Sequence, residues 1–130
     1  MMNIARIVPS FLVAASLFGC DSGDRWESGK YRVYWIDASA NLELGYDLGN
    51  GGGIIQRVEP QVISIGEDAR WIVAARHPEG DKTKTECFYF SKPDDGPYKN
   101  MNEIVQGPFT EAEFRQKSKD LNLPPLSKHF

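Results

Sequence analysis

The chain has 130 residues, a formal net charge of −3, 41 % hydrophobic residues and two cysteines. That length fits one domain, and such a chain buries a real core without cross-links. The mild acidity argues against a nucleic-acid face, which needs clustered cations, and against a polybasic hold on anionic lipid.

Residues 1–6 carry one basic residue, Arg6, and no acid; residues 7–18 are apolar apart from Ser10 and Ser16 and are interrupted by Pro9. A charged start followed by a short apolar run has the form of a secretory leader. It is too short to span a ~30 Å hydrocarbon core, which needs ~20 apolar residues. The run closes on Leu17-Phe18-Gly19-Cys20, after which the sequence turns polar. Those four residues resemble the lipobox of bacterial lipoproteins. The resemblance implies that the Cys20 thiol receives diacylglycerol, that the chain is cut after Gly19, and that the new amino group is often acylated. Gly19 is the small residue such a cut requires, while Phe18 is bulkier than the family's usual residue. Two or three acyl chains hold a protein stably, at about 0.8 kcal/mol per buried CH₂, where one chain does not. Asp21 resembles the inner-membrane retention signal of enteric Gram-negative lipoproteins. Removing residues 1–19 takes away Arg6 and no acid, so the net charge moves from −3 to −4. The expected organisation is a removed leader over 1–19, a lipidated tether over 20–30 and a single domain over 31–130. The expected location is the cell membrane, on its extracytoplasmic (in a Gram-negative cell, periplasmic) face.

Residues 31–37 are aromatic and β-branched and read as a first strand, with Tyr31, Val33 and Trp35 on one face and Tyr34 and Ile36 on the other. Leu42, Leu44, Tyr46 and Leu48 alternate with polar residues or glycine, the period of a half-buried strand. Residues 49–53 are Gly-Asn-Gly-Gly-Gly. The extended stretch Ile54-Ile55-Gln56-Arg57 follows instead of a helix, so the glycines make a mobile turn and not a phosphate cradle. Residues 61–65 form a strand and 66–68 a turn. Residues 70–76 are apolar on both faces and belong at the centre of a sheet. A polar connection over 77–84 leads into a strand over 85–91, which gives an antiparallel meander. Residues 92–102 form a loop.

Thr110 and Glu113 have the spacing of a capping box, flanked by Phe109 and Phe114 at the positions of a hydrophobic staple. Acids lead and lysines end the segment that follows, as the helix dipole prefers. Asn122 and Pro124-Pro125 stop it, and Phe114 and Leu121 are expected to pack on the sheet. The fold class is therefore α+β, an antiparallel sheet of about five strands with one C-terminal helix packed on it.

Tyr34-Trp35, Val62-Ile63-Ser64-Ile65-Gly66, Trp71-Ile72-Val73-Ala74 and Gly107-Pro108-Phe109-Thr110 before Glu113-Phe114 together resemble a family of small bacterial lipoproteins, over roughly residues 31–123. The chain also resembles, more loosely, lipid-anchored immunity proteins that block toxins in the periplasm. Neither resemblance supplies catalytic residues. They imply a surface-anchored domain with a protein partner in the envelope.

The residues offer little catalytic chemistry. His77 and His129 lack a second ligand at metal spacing. Asp94-Asp95 lacks the frame of a calcium loop. A Cys87/His77 nucleophile pair across a hairpin has no supporting signature. With Cys20 lipidated, Cys87 has no intrachain partner, and its strand-like surroundings favour a buried small hydrophobe. No cofactor or metal is expected. The aromatic content, with Trp26, Trp35 and Trp71, leaves room for a contact patch beyond the core. The loops at 49–53 and 94–98 are the candidate recognition surface of a non-enzymatic binding module. A structural envelope lipoprotein, or a hydrolase with an unrecognised site, are the alternatives.

Overall fold

The structure is a computed structural model and describes residues 22–130. The expected leader and the expected lipidation position, Cys20, lie outside the described residues. Two antiparallel sheets face each other. The first runs β1 (Ser22–Ser28), β2 (Tyr31–Ile36), β3 (Glu43–Asp47) and β4 (Ile54–Val58), each strand beside the next. The second contains β5 (Val62–Glu67), β6 (Trp71–Arg76), β7 (Glu86–Ser91), β8 (Gln106–Phe109) and β9 (Lys128–His129), in the order β8-β7-β6-β5-β9. A short helix, α1 (Met101–Ile104), precedes β8, and α2 (Glu111–Leu121) follows it.

The α+β character and the antiparallel pairing agree with the sequence; the expected single sheet of about five strands does not. The chain leaves the first sheet at Val58 and enters the second at Val62, through Glu59-Pro60-Gln61. Pro60 cannot donate to a ladder, which favours a break there. The two inner faces then bury each other. Val33, Leu44 and Val58 from the first sheet and Val62, Ile65, Ile72 and Phe90 from the second form one cluster, all at most 2 % exposed. Each such side chain contributes about 1.5–3 kcal/mol by leaving water.

The sequence also places the start of the domain too late. Residues 22–28, expected as a tether, form β1 and pair with β2 from Ser22↔Ile36 to Ser28↔Tyr31. The stretch is polar because it is an edge strand. Trp26 turns inward against the core, while Asp24 and Glu27 turn out to Arg32, at 2.7 and 2.9 Å. Arg32 Nε also approaches Asp47 at 2.8 Å, as an ion pair out of hydrogen-bond alignment.

β6 lies at the centre of the second sheet, as its two apolar faces require. Its inner residues Ile72 and Ala74 belong to the inter-sheet core, and Val73 and Ala75 belong to a second cluster on the outer face. α2 covers that face through Phe114. The capping box is present: Thr110 Oγ1 accepts from Glu113 N at 3.1 Å, and Thr110 N donates to Glu113 Oε1 at 2.9 Å. Leu121, expected inward, is 37 % exposed. Asn122 takes the left-handed conformation that ends the helix, so the chain turns and Leu123 packs instead. The segment after it lies across the outer face close enough that a Cβ on Gly66 would collide with the Pro125 carbonyl.

The register gives the molecule two ends. Ser22, Ile36 and the β2–β3 connection lie at one end, joined by the Asn41–Gln61 side-chain hydrogen bond at 3.0 Å. Paired backbone bonds between Gln61 and His77 bring the β6–β7 connection there too. The opposite end holds the β1–β2 turn and, through Asp47 N donating to Lys30 O, the start of the β3–β4 turn. Ser28 Oγ and Lys92 Nζ both reach Glu67 Oε1 there.

Candidate functional site

The β7–α1 loop, at the end opposite Ser22, is held from below by a buried ion pair. β4 reads Ile-Ile-Gln-Arg-Val, and Arg57 in that apolar strand is fully buried. Its guanidinium grips Asp95 with both arms, Nη2 to Oδ1 at 2.8 Å and Nε to Oδ2 at 3.1 Å. Nη1 donates to the Gln56 carbonyl, and the second Nη2 proton is shared between the carbonyls of Gly96 and Lys99. Asp95 completes its shell by accepting from Tyr31 OH at 2.9 Å and Gly96 N at 2.7 Å. The Tyr31 phenol is pushed far above its ordinary value, by burial first and by the Asp95 carboxylate second. A buried pair this fully satisfied fixes geometry more than it adds stability. What it fixes is the loop that carries Tyr98, which is 95 % exposed.

The sequence named residues 94–98 as a recognition loop, and the structure gives it a rigid base. It missed Arg57 and Tyr31 as the residues that hold the loop. The available signal was an arginine between Gln56 and Val58 in a strand that is mostly aliphatic. The 49–53 turn is closed by Leu48 N to Gly53 O and Gly52 N to Gly49 O. Its Gly53 borders a groove on the outer face of the first sheet with Ile36 and Ile54, whereas Asp95 borders a different one with Ser28 and Tyr46.

A larger cavity than either groove lies elsewhere, between the outer face of the second sheet, α2 and the C-terminal segment, with a volume of about 580 Å³. Ala75, Cys87, Phe114 and Leu123 make it apolar, and Ser64, Glu111, Arg115 and His129 add polar groups. The volume suits a small ligand. The Cys87/His77 pair, which no signature in the sequence supported, is not formed: His77 Nδ1 lies 2.9 Å from the Lys84 carbonyl. The histidine that shares the cavity with Cys87 is His129. Cys87, Ala75, Ser64 and His129 are in register across four strands, so thiol and imidazole strands stand three strand spacings apart, ~14 Å. Burial, with Glu111 nearby, pushes the Cys87 thiol up to about 11, away from the thiolate that nucleophilic work requires. Ser64 and His129 are cross-strand neighbours, but His129 is exposed at the rim.

Other candidates resolve as structure. Trp26 and Trp35 pack against the inter-sheet core and Trp71 against the outer cluster, edge-on to Tyr89 at 5.6 Å. Asp94 is exposed and Asp95 is committed to Arg57. Among the described residues there is no group of three potential metal ligands, and no helix is long and apolar enough to cross a membrane. No protein-family model, curated protein or solved structure matches the chain.

Proposed function

We propose that the protein is a lipid-anchored extracytoplasmic binding module, non-enzymatic, that engages another protein of the cell envelope as an inhibitor or immunity protein does. The leader-like run over 1–19, followed by Cys20, supports the anchor. The observation that carries the binding reading is Tyr98: an aromatic side chain almost wholly in solvent, on a loop locked to the core by Arg57 and Asp95. An exposed tyrosine is a frequent anchor of protein interfaces, and a fixed loop loses little entropy on binding. Placement at the end away from Ser22 supports access for a partner when the chain is tethered by its start.

The test uses the tagged, lipidated protein in its own envelope. Wild type is expected to recover one stoichiometric partner. Tyr98→Ala is expected to lose it, by about 2 kcal/mol or more of affinity, with an unchanged unfolding curve. Equal recovery by both proteins, or recovery of no stoichiometric partner by wild type, defeats the reading. A purely structural envelope lipoprotein is the alternative that the second result favours.

A further inference from the structure

We infer that the Ser22 end of the molecule rests directly on the bilayer, with Ile36 at headgroup depth and a zwitterionic membrane as its partner. The inference rests on the lipid-anchor reading of Cys20 and adds an orientation to it. β1 begins at Ser22, two residues after Cys20. Two residues span at most ~7 Å when fully extended. The headgroup layer on each side of a bilayer is itself about 5–8 Å thick. A thioether-anchored chain therefore has no slack to lift the first strand clear of the lipid surface.

The side chains at that end fit such a contact. Ile36 is the cross-strand partner of Ser22 and is 54 % exposed, the most exposed aliphatic side chain among the large hydrophobic residues described. Ala38 and Ala40 in the connection after it are exposed as well. Trp35 is half-buried beside Gly23, and an indole with one apolar and one wet side prefers the interface. Asp37 is exposed next to Ile36, and Glu59, Glu79, Lys82 and Lys84 are exposed beside Gln61 and on the β6–β7 connection, which the Asn41–Gln61 and Gln61–His77 bonds bring to the same end. Mixed charge of this kind suits the amine and phosphate of zwitterionic lipid and gives no strong attraction to an anionic surface. β1 runs from Ser22 to Ser28, roughly 20 Å of strand, so the turn next to the Tyr98 loop stands that far along the strand from the anchored start.

The experiment places a fluorophore on the full lipidated chain at Ile36→Cys, with Ala38→Cys as a second site and Tyr98→Cys as the reference. Cys87 stays unlabelled at neutral pH because its thiol is buried and pushed up to about 11. Vesicles of phosphatidylcholine and phosphatidylethanolamine carry nitroxide lipids as quenchers. Labels at 36 and 38 are expected to be quenched several-fold more than the label at 98. A Gly/Ser spacer of about ten residues, reaching roughly 17 Å, inserted between Asp21 and Ser22 is expected to remove that difference while the protein still floats with the vesicles. Flotation with equal quenching at 36 and 98 overturns the orientation and leaves the anchor intact. Failure of the wild type to float, with an unlipidated mass, overturns both.

Discussion

Arg57 and Asp95 show what one misplaced-looking charge does for this fold. Both side chains are fully buried, and every nitrogen of the guanidinium has an acceptor. Removing one partner strands the other charge in the core. Asp95→Ala is expected to cost about 3–5 kcal/mol, whereas replacing both with apolar residues of similar volume costs much less or nothing. Urea unfolding of the single and double variants checks this. A single variant within about 1 kcal/mol of wild type would mean that water reaches the site and that the loop is not locked from below. Neither residue was legible beforehand as a clamp: the sequence shows an arginine in an apolar strand and an aspartate in a loop, thirty-eight positions apart, and only the fold pairs them. Cys87 was more legible. Its neighbours Phe88, Tyr89 and Phe90 announce a buried strand, and burial is what raises its thiol out of reactive range.

At the scale of elements, the strong local patterns survived and the weak ones did not. Strands β2, β3, β5, β6 and β7 follow from β-branched residues and period two, and α2 follows from its caps. β8 was illegible because Gly107 and Pro108 interrupt it; an edge strand tolerates both, since its outer ladder is empty. β9 is two residues long and exists because the chain returns to β5. β1 looked like a tether because an edge strand with one wet face has a polar composition. The helix tests which contacts hold it. Phe114 is 8 % exposed against β6 and β7 residues, and Leu121 is 37 % exposed. Phe114→Ala is expected to cost ~3 kcal/mol, and Leu121→Ala no more than about 0.5 kcal/mol. Thermal or urea curves that reverse this order would place the helix in a different rotation on the sheet.

At the scale of the whole molecule, the asymmetry of the two ends ties the fold to the proposed role. Two packed sheets, with a helix covering only the second, leave the loops at the two ends of the strands as the natural contact surfaces. In the proposed arrangement the end that begins at Ser22 goes to the anchor, and the end that carries Tyr98 goes to a partner. Everything in that arrangement depends on Cys20 as the covalent foothold. Cys20→Ser removes the only thiol at the predicted cut and leaves residues 22–130 unchanged. The expected outcome is a protein that either stays as an uncleaved precursor or appears unlipidated in the soluble fraction, while wild type takes up labelled palmitate and partitions with membranes. Since a single acyl chain binds only marginally and two or three bind stably, the difference should be close to all-or-none after a salt wash. A salt wash strips proteins held by charge and leaves acylated ones in place. An unlabelled wild type that stays in the wash-resistant membrane fraction would mean that some other contact holds it there, and the two-ended arrangement would lose its reason.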